Sequence, residues 1–208
     1  MNDLGLGDID VSVECDEPKI GLITRHVRPM PLTPVNLRKF WEKARKFKML
    51  LGHDVRGDYG KFLSVIIKGT KDHFEPTGLF WVIDDWVGVF YMTNIQIDQN
   101  QLADASVHYS FFDRRHKGRI DLVRQTLVFA FKKYEFRRLS TEVPLNTTPE
   151  LRHFLDEVGF VREGKKRKAS FHSGEWYDEL LFGILREEAL KWEHQRKQLP
   201  QVAEQLLH

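Results

Sequence analysis

The hydrophobic positions of this chain first follow a strand pattern and then a helical one. Ile20 to Val27 alternates weakly between apolar and polar residues, which predicts a first strand. After the prolines that follow, apolar residues recur every three or four positions and predict a helix from Thr33 to about Leu51. Thr33 is a good N-cap and Pro34 suits the first helical position. Gly57 to Lys68 is predicted to form a second, shorter helix.

The middle and end of the chain change to strand patterns separated by single helices. Residues 78–83 and 86–97, joined at Asp84 and Asp85, predict a hairpin of two strongly apolar strands. The elements predicted after it are a strand at 106–112, a buried helix at 120–134, a strand at 138–143, a helix at 149–158, and a hairpin of strands 160–172 and 176–185.

This order, β-α-α-β-β-β-α-β-α-β-β, predicts an α/β domain with one mixed central sheet and helices on both of its faces. We expect the domain to span residues 18–188. Residues 1–17 carry six acidic residues and no Lys or Arg, and are expected to form a flexible or partner-docked arm. Residues 189–208 read as a charged helical tail, which packs along the domain or on a second subunit, so that a homodimer is one expectation.

Composition narrows the classes of function. The chain has 208 residues, of which 41% are hydrophobic and 30% charged, values ordinary for a folded soluble protein. Its apolar runs are too short for a membrane span, and its acidic start lacks the pattern of a signal peptide. A single cysteine, Cys15, favours a reducing, cytoplasmic compartment. The net charge of +2 argues against a dedicated nucleic-acid binder. HExxH, CxxC and GxSxG motifs are absent, so neither a metal site nor a serine hydrolase is expected.

A basic turn precedes the predicted helix at 120–134. A loop that leads into a helix N-terminus offers unpaired N–H donors and partial positive charge, which suits a pyrophosphate. A glycine there permits close backbone approach. The residues of this turn are Arg114, Arg115, Lys117, Gly118 and Arg119. Taken alone, these residues favour a solvated basic turn.

Three segments, together with the element order, carry a resemblance to a known family. They are LITRHVRPMPLTPVNLRKFW near the start, FFDRRHKGRIDL in the middle and GFVREGKKRKASFHSGEWYDELLFGILREE near the end. Over residues 20–188 the chain resembles the GCN5-related N-acetyltransferase (GNAT) family, and most of all its branch that acetylates the N-termini of ribosomal proteins. The family's Q/R-x-x-G-x-G/A motif is matched by Arg115 and Gly118, whereas Ile120 stands where a small residue is usual.

The resemblance implies an acyl-CoA N-acyltransferase fold with a splayed strand pair, and acetyl-CoA as cosubstrate. The strand-loop-helix context that flanks the basic turn, together with the terminal hairpin, favours an acyl-CoA site there over a solvated turn. It places Phe111 and Phe112 along the pantetheine arm, the turn from Arg114 to Ile120 around the pyrophosphate, and Asn146 in the family's V-x-P-x-N stretch. Family members usually carry a serine three residues after that asparagine, as a hydrogen-bond donor towards the thiolate. Here Pro149 stands there, which leaves Thr147 or Thr148 as substitutes.

The acylation of an amine requires a neutral nucleophile and a route for its proton. At pH 7 an α-amine of pKa ~8 costs about 1.4 kcal/mol to neutralise, and a lysine about 4.6 kcal/mol. Related enzymes often use a glutamate on the central strand, but the matching position here is Ser106. The local substitutes are His108, which shares the face of Ser106 and has an unperturbed pKa of ~6.5, and Glu142 on the neighbouring strand. A half-buried histidine bonded to backbone and an exposed strand glutamate are the plain alternatives.

Three hypotheses follow. The first is an acetyl-CoA-dependent N-acetyltransferase that acts on a primary amine, that of a protein or peptide N-terminus, by direct attack in a ternary complex. The second is a small-molecule acetyltransferase for a polyamine or aminoglycoside, whose cationic acceptor would want an acidic cleft. The third is a binding module that keeps the fold without catalysis, suggested by Ile120, Pro149 and the missing glutamate. The GKKRK run at 164–168 reads either as a solvated edge or as a patch for an acidic substrate or RNA.

Overall fold

A computed structural model describes residues 9–13, 23–46, 57–69, 74–98, 101–113, 117–172 and 174–192. The strands are β1 Ile9–Val13, β2 Ile23–Pro29, β3 Ile67–Gly69, β4 Phe74–Pro76, β5 Gly78–Ile83, β6 Gly88–Asp98, β7 Gln101–Phe111, β8 Arg138–Pro144, β9 Val161–His172 and β10 Glu175–Leu185. The helices are α1 Pro34–Ala44, α2 Tyr59–Ile66, α3 Arg119–Tyr134 and α4 Pro149–Val158.

Eight strands form one mixed sheet in the order β1-β2-β5-β6-β7-β8-β10-β9, and β3 and β4 form a separate two-stranded sheet. Neighbours in the large sheet are antiparallel except β7 and β8, which are parallel and connected through α3. Each face of the sheet has its own apolar core. Residues of α1 and α2 pack with Phe80, Val82 and Tyr91 on one face. Residues of α3 and α4 pack with Val107, Leu139 and Leu180 on the other. The predicted mixed α/β sheet with helices on both faces is confirmed.

The two helices before the sheet are set by their caps. Thr33 Oγ1 accepts a hydrogen bond of 3.3 Å from the Asn36 N–H, and Asp58 Oδ1 accepts one of 3.0 Å from the Lys61 N–H. α1 ends at Ala44 and is followed by a turn at residues 45–46. Its predicted extension to Leu51 otherwise lies outside the described residues. α2 ends at Ile66, short of the predicted Lys68, because residues 67–69 pair with 74–76 as a strand.

β1, β3 and β4 were not predicted from the sequence, and β7 begins earlier than predicted. β7 begins at Gln101 rather than at Ser106, and its first half follows an irregular pairing with β6 in which Asn94 has a φ of 50°. β1 was not predicted at all: it lies inside the acidic N-terminal segment and pairs with β2 over five residues. The other residues of the predicted arm lie outside the described residues.

The start of the predicted tail packs on the domain. The chain is helical at 186–192 after β10, with Ala189 fully buried. The Trp192 ring lies 5.2 Å from the Arg124 guanidinium of α3. Residues 193–208 lie outside the described residues.

Candidate functional site

The large sheet opens between its two parallel strands. β7 and β8 pair only from Asp104 to Ser106 with 138–140, after which β7 continues with β6 and β8 continues with β10. At the closed end, Arg138 forms ion pairs with Asp104 and with Glu163 of β9. Beyond Ser106, within the described part of the chain, the edge of β7 that faces β8 has no partner strand. Its backbone donors and acceptors are therefore available to a bound molecule.

Two helices begin at the open end of this pair of strands. β7 leads through residues 112–118 into α3, and β8 leads through a short turn into α4, so both helix N-termini lie beyond the carboxyl ends of the strands. This is where α/β sheets bind ligands, and helix N-termini favour anions. Gly118 precedes α3 with a φ of 70°, a conformation that favours glycine, and its carbonyl accepts the first helical hydrogen bond from the Leu122 N–H at 3.0 Å.

The residues expected around the pyrophosphate divide into two groups. Lys117 and Arg119 are exposed beside Gly118, and the Arg119 guanidinium lies 5.8 Å from the Phe111 ring. Ile120 is half-buried and packs against the core on the α3 face, which accounts for a large side chain at that position. Arg114 and Arg115 lie outside the described residues.

Phe111 and Phe112 fasten the end of β7 to both faces of the sheet. Phe111 packs against the α3 core, and Phe112 packs against the α1–α2 core with its ring 6.3 Å from that of Phe40. The Phe112 N–H also donates to the Val87 carbonyl at 2.8 Å. These contacts hold the free edge of β7 in place up to the turn.

Polar and aromatic side chains line the β7 side of the opening. Ser106 and Ser140 face each other in the last parallel pair, so His108, two residues further on, lies on the same face where the strands have separated. The His108 ring stacks on the Tyr91 ring at 4.7 Å, and its Nε2 lies 3.0 Å from Thr93 Oγ1. The Ser106 hydroxyl accepts a hydrogen bond of 3.4 Å from the Asn94 amide.

The pKa of His108 is shifted from its unperturbed value in the folded protein. Burial lowers the pKa of His108 to about 4, and the nearby Glu142 carboxylate only partly opposes this shift. The pKa of His108 in the folded protein therefore lies below its unperturbed value of 6.5, because the charged imidazolium loses its hydration there. At neutral pH His108 is an uncharged hydrogen-bonding group and a weak base.

Charged side chains line the β8 side. Glu142 lies two residues beyond Ser140 and so shares the face of His108. Its carboxylate forms an ion pair with the Lys166 ammonium of β9 and lies near the Glu179 carboxyl of β10. Burial raises the pKa of Glu179, and the Glu142 carboxyl raises it further. Sequence reasoning missed Thr93, Lys166 and Glu179 as members of this site. The alternation of Glu142 and Glu179 within their strands was the available signal.

The turn after β8 holds the residues considered as donors to the thiolate. Asn146 is exposed beside the Tyr177 hydroxyl, which donates to Glu175 at 2.7 Å. Thr147 Oγ1 donates to the Pro144 carbonyl at 2.8 Å, so its proton is already engaged. Thr148 is the exposed N-cap of α4, and its side chain lies near Glu150, whose pKa it helps to lower. Pro149 occupies the first helical position, where a missing N–H costs nothing.

Other chemistry has little support in the described part of the chain. The described residues contain no group of three or more potential metal ligands. No helix among them is long and apolar enough to cross a membrane. Tyr109, although near the opening, directs its hydroxyl at Thr126 of α3, 2.7 Å away, and burial raises its pKa.

Comparison with known proteins identifies the family. The model of the acetyltransferase (GNAT) domain matches residues 67–181, from β3 to β10. The SPbeta prophage-derived uncharacterized N-acetyltransferase YokL of Bacillus subtilis is 32% identical over 68 residues, 33% of this chain and 38% of that protein. The chain thus spans well under half the length of that curated relative.

Solved structures share the fold. Mycobacterium smegmatis RimJ in complex with CoA-disulfide superposes with a TM-score of 0.65 at 20% identity, over 90% of this chain and 91% of that one. Spermidine N-acetyltransferase from Vibrio cholerae in complex with CoA and spermine gives a TM-score of 0.57 at 17% identity, over 79% and 98%. The family model covers more than half of the sequence and spans both strands of the opening. This chain therefore belongs to the GNAT acetyltransferase family.

Proposed function

We propose that this protein transfers the acetyl group of acetyl-CoA to a primary amine, that of a protein or peptide N-terminus, by direct attack while both substrates are bound. GNAT acetyltransferases use acetyl-CoA as cosubstrate. The observation that carries the proposal is the separation of β7 and β8 after three paired residues, at the end of the sheet where α3 and α4 begin. A free strand edge and helix N-termini suit an extended amide chain that ends in phosphates.

The cofactor residues are proposed on this basis. The backbone at Phe111 and Phe112 would bind the pantetheine amides, and Gly118 with Lys117 and Arg119 would bind the pyrophosphate. The positive φ of Gly118 and the exposure of both cations support this assignment. Arg115 and Asn146 join the set by their match to the family motifs, and Arg114 by its charge in the same turn. Ile120 joins it by its position alone, because a small residue is usual there.

The side chains that line the opening are proposed to have different roles in the acylation of the amine. Acetyl-CoA supplies an activated acyl carbonyl. Glu142 would orient the acceptor nitrogen and receive its proton, because that nitrogen becomes acidic as its bond to carbon forms. Neutral His108, held by Thr93, would offer a hydrogen bond without adding charge. Ser106, held by Asn94, would act in the same way. No side chain is proposed as an acyl-carrying nucleophile.

The identity of the acceptor rests on two kinds of support. The low pKa of an α-amine makes it easier to neutralise than a lysine, and the site contains no strong base. The resemblance to the branch that acts on ribosomal-protein N-termini points the same way. A polyamine is the second candidate, and the Glu142 and Glu179 carboxyls favour it because they suit a cation. A domain over 18–188 and a cytoplasmic location are also part of the proposal.

The first experiment is titration calorimetry with acetyl-CoA on the wild type, Gly118→Trp and Gly174→Trp. Both glycines have positive φ, at 70° and 88°, so both variants carry similar backbone strain. Gly174 lies in the β9–β10 turn, where an added Cβ meets no atom within 4 Å. We expect micromolar binding by the wild type and Gly174→Trp, and at least tenfold weaker binding by Gly118→Trp.

Turnover separates the remaining readings. Release of CoA in the presence of a peptide with a free α-amine supports the proposal, and release with spermine alone supports the second candidate. Binding of acetyl-CoA without turnover on either acceptor would favour a binding module. Absence of binding by the wild type would overturn the proposed cofactor site.

A further inference from the structure

Two adjacent lysines of β9 make opposite contacts. Lys165 Nζ lies 2.7 Å from Asp178 Oδ2, on one face of the β9–β10 hairpin. Lys166 points to the other face and reaches across β10 to the Glu142 carboxylate of β8. β9 is the last strand of the sheet, and Lys166 brings a positive charge from this edge to Glu142. Its side chain is half exposed, as is that of Glu142.

Glu179 lies between these two partners. In the strand register it is opposite Lys166 on one side and opposite Pro144 on the other, and the nearby Glu142 carboxyl raises its pKa. Ser170 is only 5% exposed, and its hydroxyl approaches Glu179 without completing a hydrogen bond of ordinary geometry. The site thus holds two carboxyl groups, one ammonium group and the buried Ser170 hydroxyl, which has no hydrogen-bond partner among the described residues. One cation leaves two carboxyl groups incompletely balanced.

On the basis of the proposed function, we propose that Glu142 and Glu179 form the binding site for the protonated amine of the acceptor, and that Lys166 occupies this site in the free protein as an internal competitor. The ammonium of Lys166 is the same chemical group as a protonated primary amine. Its contact with Glu142, beside His108 and the free edge of β7, therefore marks where an acceptor amine meets the opening. The acceptor is a primary ammonium compound, whether a peptide α-amine or a polyamine.

Lys166 is able to leave this contact. A half-exposed ion pair stabilises a fold only slightly, and a long lysine side chain regains rotamer freedom when it is released. The strand is also irregular just beyond it: pairing with β10 shifts between Tyr177 and Glu179, and Lys168 has a φ of 48°. A departing Lys166 would extend from the sheet edge into solvent, and its place would be taken by the acceptor.

The test compares Lys166→Gln with its neighbour Lys165→Gln. Both variants remove one lysine from the same strand and break one ion pair, but only Lys166 faces the opening. Acetyl transfer is measured with a tetrapeptide bearing a free α-amine and, separately, with spermine. Lys166→Gln is expected to lower the acceptor KM about two- to fivefold, the range of a half-exposed ion pair. The KM for acetyl-CoA should not change, and Lys165→Gln should change neither. The acceptor that shows the gain identifies the source of the amine.

Glu179→Gln provides the opposite variant. It keeps the size of the side chain and removes a carboxyl group, so the acceptor KM should rise about fivefold or more while acetyl-CoA binding persists. Equal acceptor KM values for Lys166→Gln and Lys165→Gln, in a wild type that transfers acetyl groups, would overturn the internal competitor and leave the proposed function intact.

Calorimetry with spermine covers the other case. If the wild type neither binds acetyl-CoA nor transfers acetyl groups, the proposed function fails. The carboxyl site is then measured directly: tighter spermine binding by Lys166→Gln than by the wild type or Lys165→Gln supports it, and equal binding overturns it.

Discussion

The two sides of the β7–β8 opening differ in charge and in exposure to water. On the β7 side, His108 stacks on the buried Tyr91 and bonds Thr93, and burial keeps the imidazole uncharged. On the β8 side, Glu142, Glu179 and Lys166 form a charged cluster that remains partly open to water. The β7 side offers uncharged hydrogen-bonding groups in fixed positions, and the β8 side offers charged groups that an acceptor amine can reach.

This difference suits the two substrates proposed for the site. A thioester carbonyl is neutral and needs oriented hydrogen-bond donors, which cost nothing to reorganise when they are already fixed. An amine arrives mostly as a cation at pH 7 and needs a carboxylate, and it must later lose a proton to one. The comparison predicts that substitutions on the β8 side change the kinetics with the acceptor amine. Substitutions at His108, on the β7 side, should change the pH dependence of folding stability.

The largest expected effect comes from the β8 side. Glu142→Gln keeps the shape of the side chain but removes the charge and the proton acceptor. We expect kcat/KM for the acceptor to fall about 100-fold, the lower end of general-base contributions. Steady-state kinetics with acetyl-CoA and a peptide acceptor measures it.

Glu157→Gln, on the exposed surface of α4, removes the same charge far from the opening and should stay within twofold of the wild type. A Glu142→Gln enzyme that keeps more than a third of wild-type kcat/KM would mean that the proton leaves by another route.

The β7 side should appear in the pH dependence of stability. The unfolded chain binds the His108 proton near pH 6.5 and the folded protein only near pH 4. The neutral form therefore contributes stability that is fully present above pH 6.5 and is lost as the pH falls towards 4. Allowing for partial access of water, the loss is about 2–3 kcal/mol.

Urea unfolding of the wild type and His108→Gln at pH 7 and pH 4 measures this difference. The wild type should lose about 2–3 kcal/mol more than the variant in its free energy of unfolding over this range. Equal losses would show that His108 keeps an ordinary pKa in the folded protein, and the contrast between the two sides would then be weaker.

The secondary structure could be predicted from the sequence more fully than the contacts on the two sides of the opening. Hydrophobic periodicity predicted most helices and strands well, because their apolar faces are continuous, and α4 begins and ends at the predicted residues. β1 was missed although its residues alternate between apolar and polar, because the acidic segment around it was interpreted as an arm. The first half of β7 was missed because Asp104, which pairs with Arg138, interrupts its apolar pattern. His108 and Glu142 were named as candidates because Ser106 stands where related enzymes often carry a glutamate, and both were predicted to lie close to that position.

The charged cluster could not be predicted in the same way. Lys166 and Glu179 meet Glu142 only because β10 lies between β8 and β9, with one particular register. That register includes irregular pairing near Tyr177, which no local pattern in the sequence indicates. The lowered pKa of His108 likewise depends on burial by Tyr91 and its neighbours, which follows from packing rather than from residue type.

The smallest expected effect concerns the closed end of the opening, where both sides meet. Arg138 is about one-third exposed and binds Asp104 of β7 and Glu163 of β9. Its neighbour Arg137 is 68% exposed and forms a single ion pair within the described part of the chain, with Asp98. Arg138→Met leaves two partly buried carboxylates without their cation, so the free energy of unfolding should fall by about 1–2 kcal/mol. Arg137→Met should change it by less than about 0.5 kcal/mol. Thermal unfolding of both variants at pH 7 decides the matter, and equal shifts in Tm would mean that the end of the parallel pairing is held by backbone hydrogen bonds and packing alone.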